Sequence, residues 1–208
     1  MLSVLRFFKN ADLGGLPWLL VGKGPTFDRR GELPQTVVTW KSLGLNHVCL
    51  KMDVDVAHFT DFDAFQDCAD HLQKQTCAVC LPWFPHVGNK PGPKCLDELV
   101  QGDPALHRLE AAGRLLSYNS TLAKHRARSL PLLHVRYFSA VAGLSILAAA
   151  GVKVVRTLGV DGGAKYAKAF DTATLLSNGR SSFDVQFREM RQIARAAKID
   201  LQPLIPMR

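Results

Sequence analysis

Residues 135–163 read VRYFSAVAGLSILAAAGVKVVRTLGVDGG, and this stretch decides the fold. Ser139 stands where a hydroxyl can cap a helix, small apolar residues follow, and Gly151 supplies a stop. The apolar run 152–158 comes at once as a strand, which makes the segment half of an α/β unit. That strand ends in Gly159, Val160, Asp161, Gly162 and Gly163, placing a carboxylate and a permissive backbone at its carboxyl end. Open α/β sheets bind ligands at that edge.

Working outward, strands are expected at 17–21, 37–40 with 43–48, 54–60, 76–81, 114–118 and 199–205. Helices are expected at 96–112 and 183–198, with a proline-rich loop over 82–93. Strands and helices alternate without an internal repeat, heptad run or low-complexity tract. The expectation is an α/β protein with one Rossmann-like domain over 1–208, its mostly parallel sheet flanked by helices. The helix at 183–198 carries Phe183, Phe187, Met190, Ile193 and Ala194 on one face, which suits packing on its own sheet. Oligomeric state stays open.

Composition bounds the partners. The chain has 208 residues, 47% hydrophobic and 21% charged, which suits a folded domain rather than a disordered one. Residues 1–8 are apolar with one arginine, but no run of about 20 apolar residues and no cleavage signal follows, so the expected place is the cytoplasm. Five cysteines, an odd number, fit ordinary thiols in a reducing compartment. A net charge of +8 and a pI near 9.4 point to anionic partners. The basic residues, from Arg29 and Arg30 through Lys124 to Arg195 and Lys198, lack the aromatic interleaving of single-strand binders, so nucleic acid is not expected. An anionic membrane face is compatible with them and would suit work on a membrane-linked glycan.

The run Val21, Gly22, Lys23, Gly24, Pro25, Thr26, Phe27 puts glycines directly after a buried strand, where backbone amides can meet phosphate or ribose oxygens. It lacks the P-loop spacing and the third glycine of a dinucleotide fingerprint, and a plain tight turn explains it too. Asp61 and Asp63, at the end of the third strand, form an Asp-x-Asp pair able to hold Mg or Mn, or else are helix-start charges. Cys77 and Cys80 point to opposite faces of a strand, which favours packing over metal. No histidine pair has zinc spacing on a helix. His134, just before the Ser139 turn, can serve as a base or as a structural residue. His47 and His58 flank strand ends and can line the cleft or serve structurally, and His86, beside Trp83 and Phe84, can form an acceptor wall or simply pack its loop.

Two separated segments resemble bacterial sialyltransferases. Residues 21–27 resemble the Gly-Asn-Gly-Pro-Ser turn near the start of those enzymes, with Lys23 for the asparagine and Thr26 for the serine. Residues 139–161 resemble their later motif: Phe138, Ser139 and Ala140 stand for its Thr-Ser-Gly turn, and Gly159, Val160 and Asp161 for its Gly-Ile/Val-Asp strand end. Residues 169–172, 198–201 and 203–206 are similar to the same region. The resemblance implies a divergent member of a CMP-sugar-dependent glycosyltransferase superfamily. It implies Gly22, Lys23, Gly24, Pro25, Thr26, Asn46, Ser139 and Ala140 around the nucleotide, Tyr166 near the phosphate, and no required metal. The chain departs from the pattern at the general-base histidine, expected near 180–184, where it has Arg180, Ser181, Ser182, Phe183 and Asp184. It departs again at Asp61, where the third-strand asparagine is expected.

The leading expectation is a glycosyltransferase of cell-surface polysaccharide assembly, taking a nucleotide sugar, CMP-linked by the resemblance, and a glycan acceptor. Asp184 or His134 is the candidate base, and Asp161 the candidate for orienting sugar or ribose hydroxyls. The alternatives are a pyrophosphokinase-like enzyme in which Asp61 and Asp63 hold Mg against ATP, and a non-catalytic nucleotide-binding domain. Shared fold alone leaves the reaction open.

Overall fold

The structure, a computed structural model, describes residues 1–37, 39–135, 138–162, 165–170 and 182–205, with the backbone alone for 182–184. The first half runs β1 (Leu2–Ser3), α1 (Val4–Asn10), β2 (Trp18–Val21), β3 (Lys41–Leu45), β4 (Val56–His58), α2 (Phe62–Gln73), β5 (Ala78–Pro82), β6 (His86–Val87) and β7 (Lys90–Pro91). The second runs α3 (Leu96–Gly102), α4 (Pro104–Ala111), β8 (Leu115–Ser120), β9 (Leu132–Leu133), α5 (Ser139–Ala149), β10 (Val154–Leu158), α6 (Ser182–Ala197) and β11 (Asp200–Pro203).

Among the described residues nine strands form one sheet in the order β1-β8-β5-β4-β3-β2-β10-β11, with β9 beside β8 and every pairing parallel. The mostly parallel α/β architecture expected from the alternation is therefore present. A parallel sheet needs cover on both faces, which is why β2 and β5 read as unbroken apolar runs and are buried throughout. On one face Leu20, Leu43, Leu45 and Leu116 pack with Phe8, Leu144 and Met190 from α1, α5 and α6. On the other, Ala57, Val79, Leu81 and Leu115 pack with Phe65, Leu72, Leu96 and Leu106 from α2 to α4. The period-two pattern sends Cys80 to the first core and Cys77 to the second, and all five cysteines are free thiols. Burial pushes both thiols up, leaving them poor nucleophiles.

Helix α5 follows its sequence closely. It is buried from Ala140 to Leu147, and Gly143 lets it press on β2 and β3: a Cβ there would sit 2.9 Å from Leu20 Cδ1 and 3.1 Å from Leu43 Cδ2. Its end is a Schellman turn. Gly151, at φ +89°, donates to Ala148 O at 3.1 Å and Val152 donates to Leu147 O at 3.0 Å. Its start departs from expectation, because Phe138 occupies the cap position and the Ser139 hydroxyl bonds elsewhere.

Other boundaries moved for local reasons. The helix expected over 96–112 is two helices, because the Asp103 carboxylate accepts from the Ala105 and Leu106 N–H groups and Pro104 opens a new first turn. The second strand begins at Lys41, and 35–37 form a 3-10 turn. The proline-rich loop holds the β6–β7 antiparallel hairpin, whose Gly88 and Asn89 both have positive φ.

From β2 the sheet grows outward through β3, β4 and β5, and the chain later returns to place β10 and β11 on the other side of β2. The order thus reverses between β2 and β10, which opens a crevice at their carboxyl ends. Among the described residues no helix is long and apolar enough to cross a membrane.

Candidate functional site

The crevice begins where β2 and β10 run past their last paired residues, Val21 and Leu158. Gly22 N–H donates to Leu158 O at 2.8 Å and Gly24 N–H to Gly159 O at 2.7 Å, so the two turns stay zipped beyond the sheet. Side chains have no room here. A Cβ on Gly22 would lie 2.5 Å from Gly159 O, one on Gly24 would lie 2.7 Å from Asp161 Oδ2, and Gly159 adopts φ +66°. Thr26 completes the junction: its N–H donates to Asp161 Oδ2 at 2.7 Å, its hydroxyl to Asp161 Oδ1 at 2.5 Å, and it accepts from Gly159 N–H at 2.8 Å. Both Asp161 oxygens are thereby engaged in holding one turn to the other.

A second group gathers at the start of α5. Asn46, at φ +52° beyond β3, donates through Nδ2 to Ser139 Oγ at 3.2 Å, and Thr60 Oγ1 lies 3.2 Å from the same oxygen. The Ser139 hydroxyl therefore joins the ends of β3 and β4 to the first turn of α5. Backbone N–H groups of that turn lack intrahelical partners, and the helix dipole favours an anion before them. Ser139, Ala140, Asn46 and Phe138 all line the cleft.

The facing wall is charged. Lys23 lies with Nζ 4.8 Å from the centroid of the Tyr166 ring, and burial lowers its pKa to about 8 against the raising influence of Cys68, Asp61 and Asp67. Asp61 occupies the cap position of α2 without bonding its amides. Burial, reinforced by Asp63 and opposed by Lys23, raises its pKa to about 6. His47 Nε2 lies 2.9 Å from Asp67 Oδ2, and burial holds that imidazole below its usual value despite the carboxylate. A lysine that can carry charge thus faces carboxylates across the same space.

The cleft brings together Gly22, Lys23, Gly24, Asn46, Asp61, Asp63, Ser139, Ala140, Asp161 and Tyr166, residues the sequence singled out from six separate segments. Others stand apart. Pro25 starts the 3-10 turn Pro25–Glu32, and Thr26 is buried behind the cleft wall rather than on it. His134 follows β9 with an exposed side chain and is not among the described residues that line the cleft. Asp184 belongs to the first turn of α6, and its side chain lies outside the described residues. His86, expected as a wall or lid, is buried at 1% exposure, while its hairpin offers Gly88 and Asn89 to the cleft instead. Asp67, Lys165 and Gln186 also line the cleft and were not anticipated. The Asp63/Asp67 spacing, one helical turn, is the signal that could have found Asp67.

Among the described residues no group of three His, Cys, Asp or Glu side chains is arranged to hold a metal ion. Asp61 and Asp63 nevertheless share the cleft, and hard carboxylates are the ligands Mg or Mn would take there.

No protein-family model matches the chain, and no curated protein sequence matches it. Solved structures share its fold, two sialyltransferases among them. The sialyltransferase CstII from Campylobacter jejuni, in complex with the substrate analogue CMP-3FNeuAc, is 14% identical with a TM-score of 0.51, covering 92% of this chain and 82% of that one. The monofunctional α-2,3-sialyltransferase Cst-I from Campylobacter jejuni is 11% identical with a TM-score of 0.51, covering 91% of this chain and 76% of that one. At these identities the likeness is one of fold: the chain has the mostly parallel α/β architecture of these two sialyltransferases, at a distance.

Proposed function

We propose that this chain is a glycosyltransferase that binds a nucleotide-activated sugar, CMP-linked, in the crevice between β2 and β10 and passes the sugar to an acceptor hydroxyl on a glycan. One observation carries the reading. The zipped glycine turns, Asn46 and the amide-rich first turn of α5 all face a single cleft at the point where strand order reverses. The shared fold with a sialyltransferase solved with a CMP-sugar analogue supports the same ligand class. In this reading Gly22, Gly24, Ser139 and Ala140 meet the nucleotide, Lys23 and Tyr166 attend the phosphate, and Thr26 with Asp161 keeps the turns in place. Lys23 offsets charge on the leaving phosphate without a required metal. An acceptor in polysaccharide assembly at the cytoplasmic face of a membrane accords with the +8 net charge.

The presence of Asp61 and Asp63 in the same cleft favours one second reading, a metal-dependent transfer from ATP. Calorimetric titration with CMP, UDP, GDP and ATP, each with and without Mg or Mn, separates the two. Metal-independent preference for CMP is the expected result. Binding of a triphosphate only with metal would move the assignment to the second reading, and no binding of any nucleotide would sink both.

A further inference from the structure

Two cleft-lining polar side chains among the described residues are more than nine-tenths buried, His47 and Gln186. His47 bonds Asp67. Gln186, at 8% exposure, has no hydrogen-bond partner among the described residues. The side chain is packed on most sides and borders the cleft.

Its position in the helix sharpens the point. The inward stripe of α6 repeats at 186/187, 190 and 193/194, and Phe187, Met190, Ile193 and Ala194 pack against the core. Gln186 occupies a core-facing position otherwise given to apolar residues. The turn that bears it is fixed against the end of β10, since a Cβ on Gly162 would lie 2.7 Å from Phe187 Cε2. A buried amide without partners is costly, so such groups are retained where something else satisfies them. The cleft that Gln186 lines can supply such a partner.

We propose that Gln186 is a specificity residue of the cleft, its side-chain amide pairing with a ligand group that presents a hydrogen-bond donor beside an acceptor. This inference rests on the nucleotide-sugar reading. A primary amide offers an N–H donor and a carbonyl acceptor side by side. Two parts of a nucleotide sugar match that pattern: a pyrimidine edge, and an acylamino or hydroxyl pair on the sugar. The preorganised wall sets the amide with little rotamer freedom left to lose, which favours discrimination.

The test is calorimetric binding of CMP, CMP-3FNeuAc and ribose 5-phosphate to the full chain and to Gln186→Leu and Gln186→Glu, with thermal unfolding as a check on the fold. Loss of the amide pairing should weaken the affected ligand about tenfold. If Gln186 reads the base, Gln186→Leu weakens CMP and CMP-3FNeuAc alike and leaves ribose 5-phosphate unchanged. If it reads the sugar, CMP-3FNeuAc alone weakens. Either result supports the proposal, and Gln186→Glu, which keeps the shape but not the N–H donor, should follow the same ligand should Gln186→Leu fail to fold. Both variants binding all ligands within twofold of the wild type would overturn it, as would equal weakening of all three. Wild-type protein that binds none of the three would instead sink the nucleotide-sugar reading and this inference with it.

Discussion

Thr26 and Asp161 stand 135 residues apart, yet their hydrogen bonds decide whether the two glycine turns face one ligand. Thr26→Val removes the hydroxyl that donates to Asp161 and accepts from Gly159. It should lower stability by about 1–3 kcal/mol in thermal unfolding, while Thr26→Ser stays near wild type. Sequence could mark both residues as belonging to the site but not their division of labour. A hydroxyl bonds whatever the tertiary fold brings beside it, and the same reason turned Ser139 from a helix cap into a link to Asn46 and Thr60. Asp61 shows the reverse cost. Its folded pKa, raised to about 6 chiefly by burial, means that the fold favours the protonated acid, so its contribution to stability is lost as pH rises through that value. Asp61→Asn should therefore stabilise the protein at pH 7 by on the order of 1–2 kcal/mol after screening, and the gain should vanish near pH 4 in urea unfolding. Lys23 titrates the other way for ligand binding. Its ammonium is present below about pH 8 and lost above it, so CMP affinity should fall between pH 7 and 9, and Lys23→Met should bind weakly and without that slope.

At the scale of elements, α5 and the strand after it were legible because several signals agreed: small apolar residues, a glycine stop and an apolar run. Gly143 carries more than a permissive backbone. Gly143→Val would drive methyl groups into Leu20, Leu43 and Leu45, lift α5 from β2 and β3, and cost about 1–3 kcal/mol in urea unfolding. The same lift should part Ser139 from Asn46 and weaken CMP binding. The two helices at 96–111 are not separable in the sequence, although Asp103-Pro104 is a cap followed by a first-turn proline, because the apolar spacing continues across the break. Nor is α1 with β1 legible there, since their apolar residues resemble a short tail until Leu2 and Ser3 pair with β8. The cleft face of α6 was illegible for a related reason. Helical periodicity marks Gln186 as inward, but it cannot say that inward means toward a ligand rather than toward the core.

For the molecule as a whole, a sheet covered on both faces places histidines where water does not reach. His58 is fully buried, its Nε2 2.9 Å from the Tyr118 hydroxyl and its Nδ1 without a partner, and burial lowers its pKa to about 3. His86 is lowered to about 4 by the same cause. In the unfolded chain both rings accept a proton near pH 6.5, whereas the fold keeps them neutral. The stability they support is present above pH 6.5 and is lost as pH falls toward the folded values. Acid should thus destabilise the protein between pH 6.5 and 4 by on the order of 2 kcal/mol per buried ring, measured as a falling urea midpoint. The identity of the groups is checkable by substitution. Tyr118→Phe removes one partner and should lower stability at every pH without flattening the acid limb, because burial rather than that bond sets the pKa. The double variant His58→Leu with Tyr118→Phe replaces both partners by apolar groups and should make the limb shallower by about half, leaving the share due to His86. An unchanged slope in the double variant would place the acid sensitivity elsewhere, with His86 the next residue to substitute.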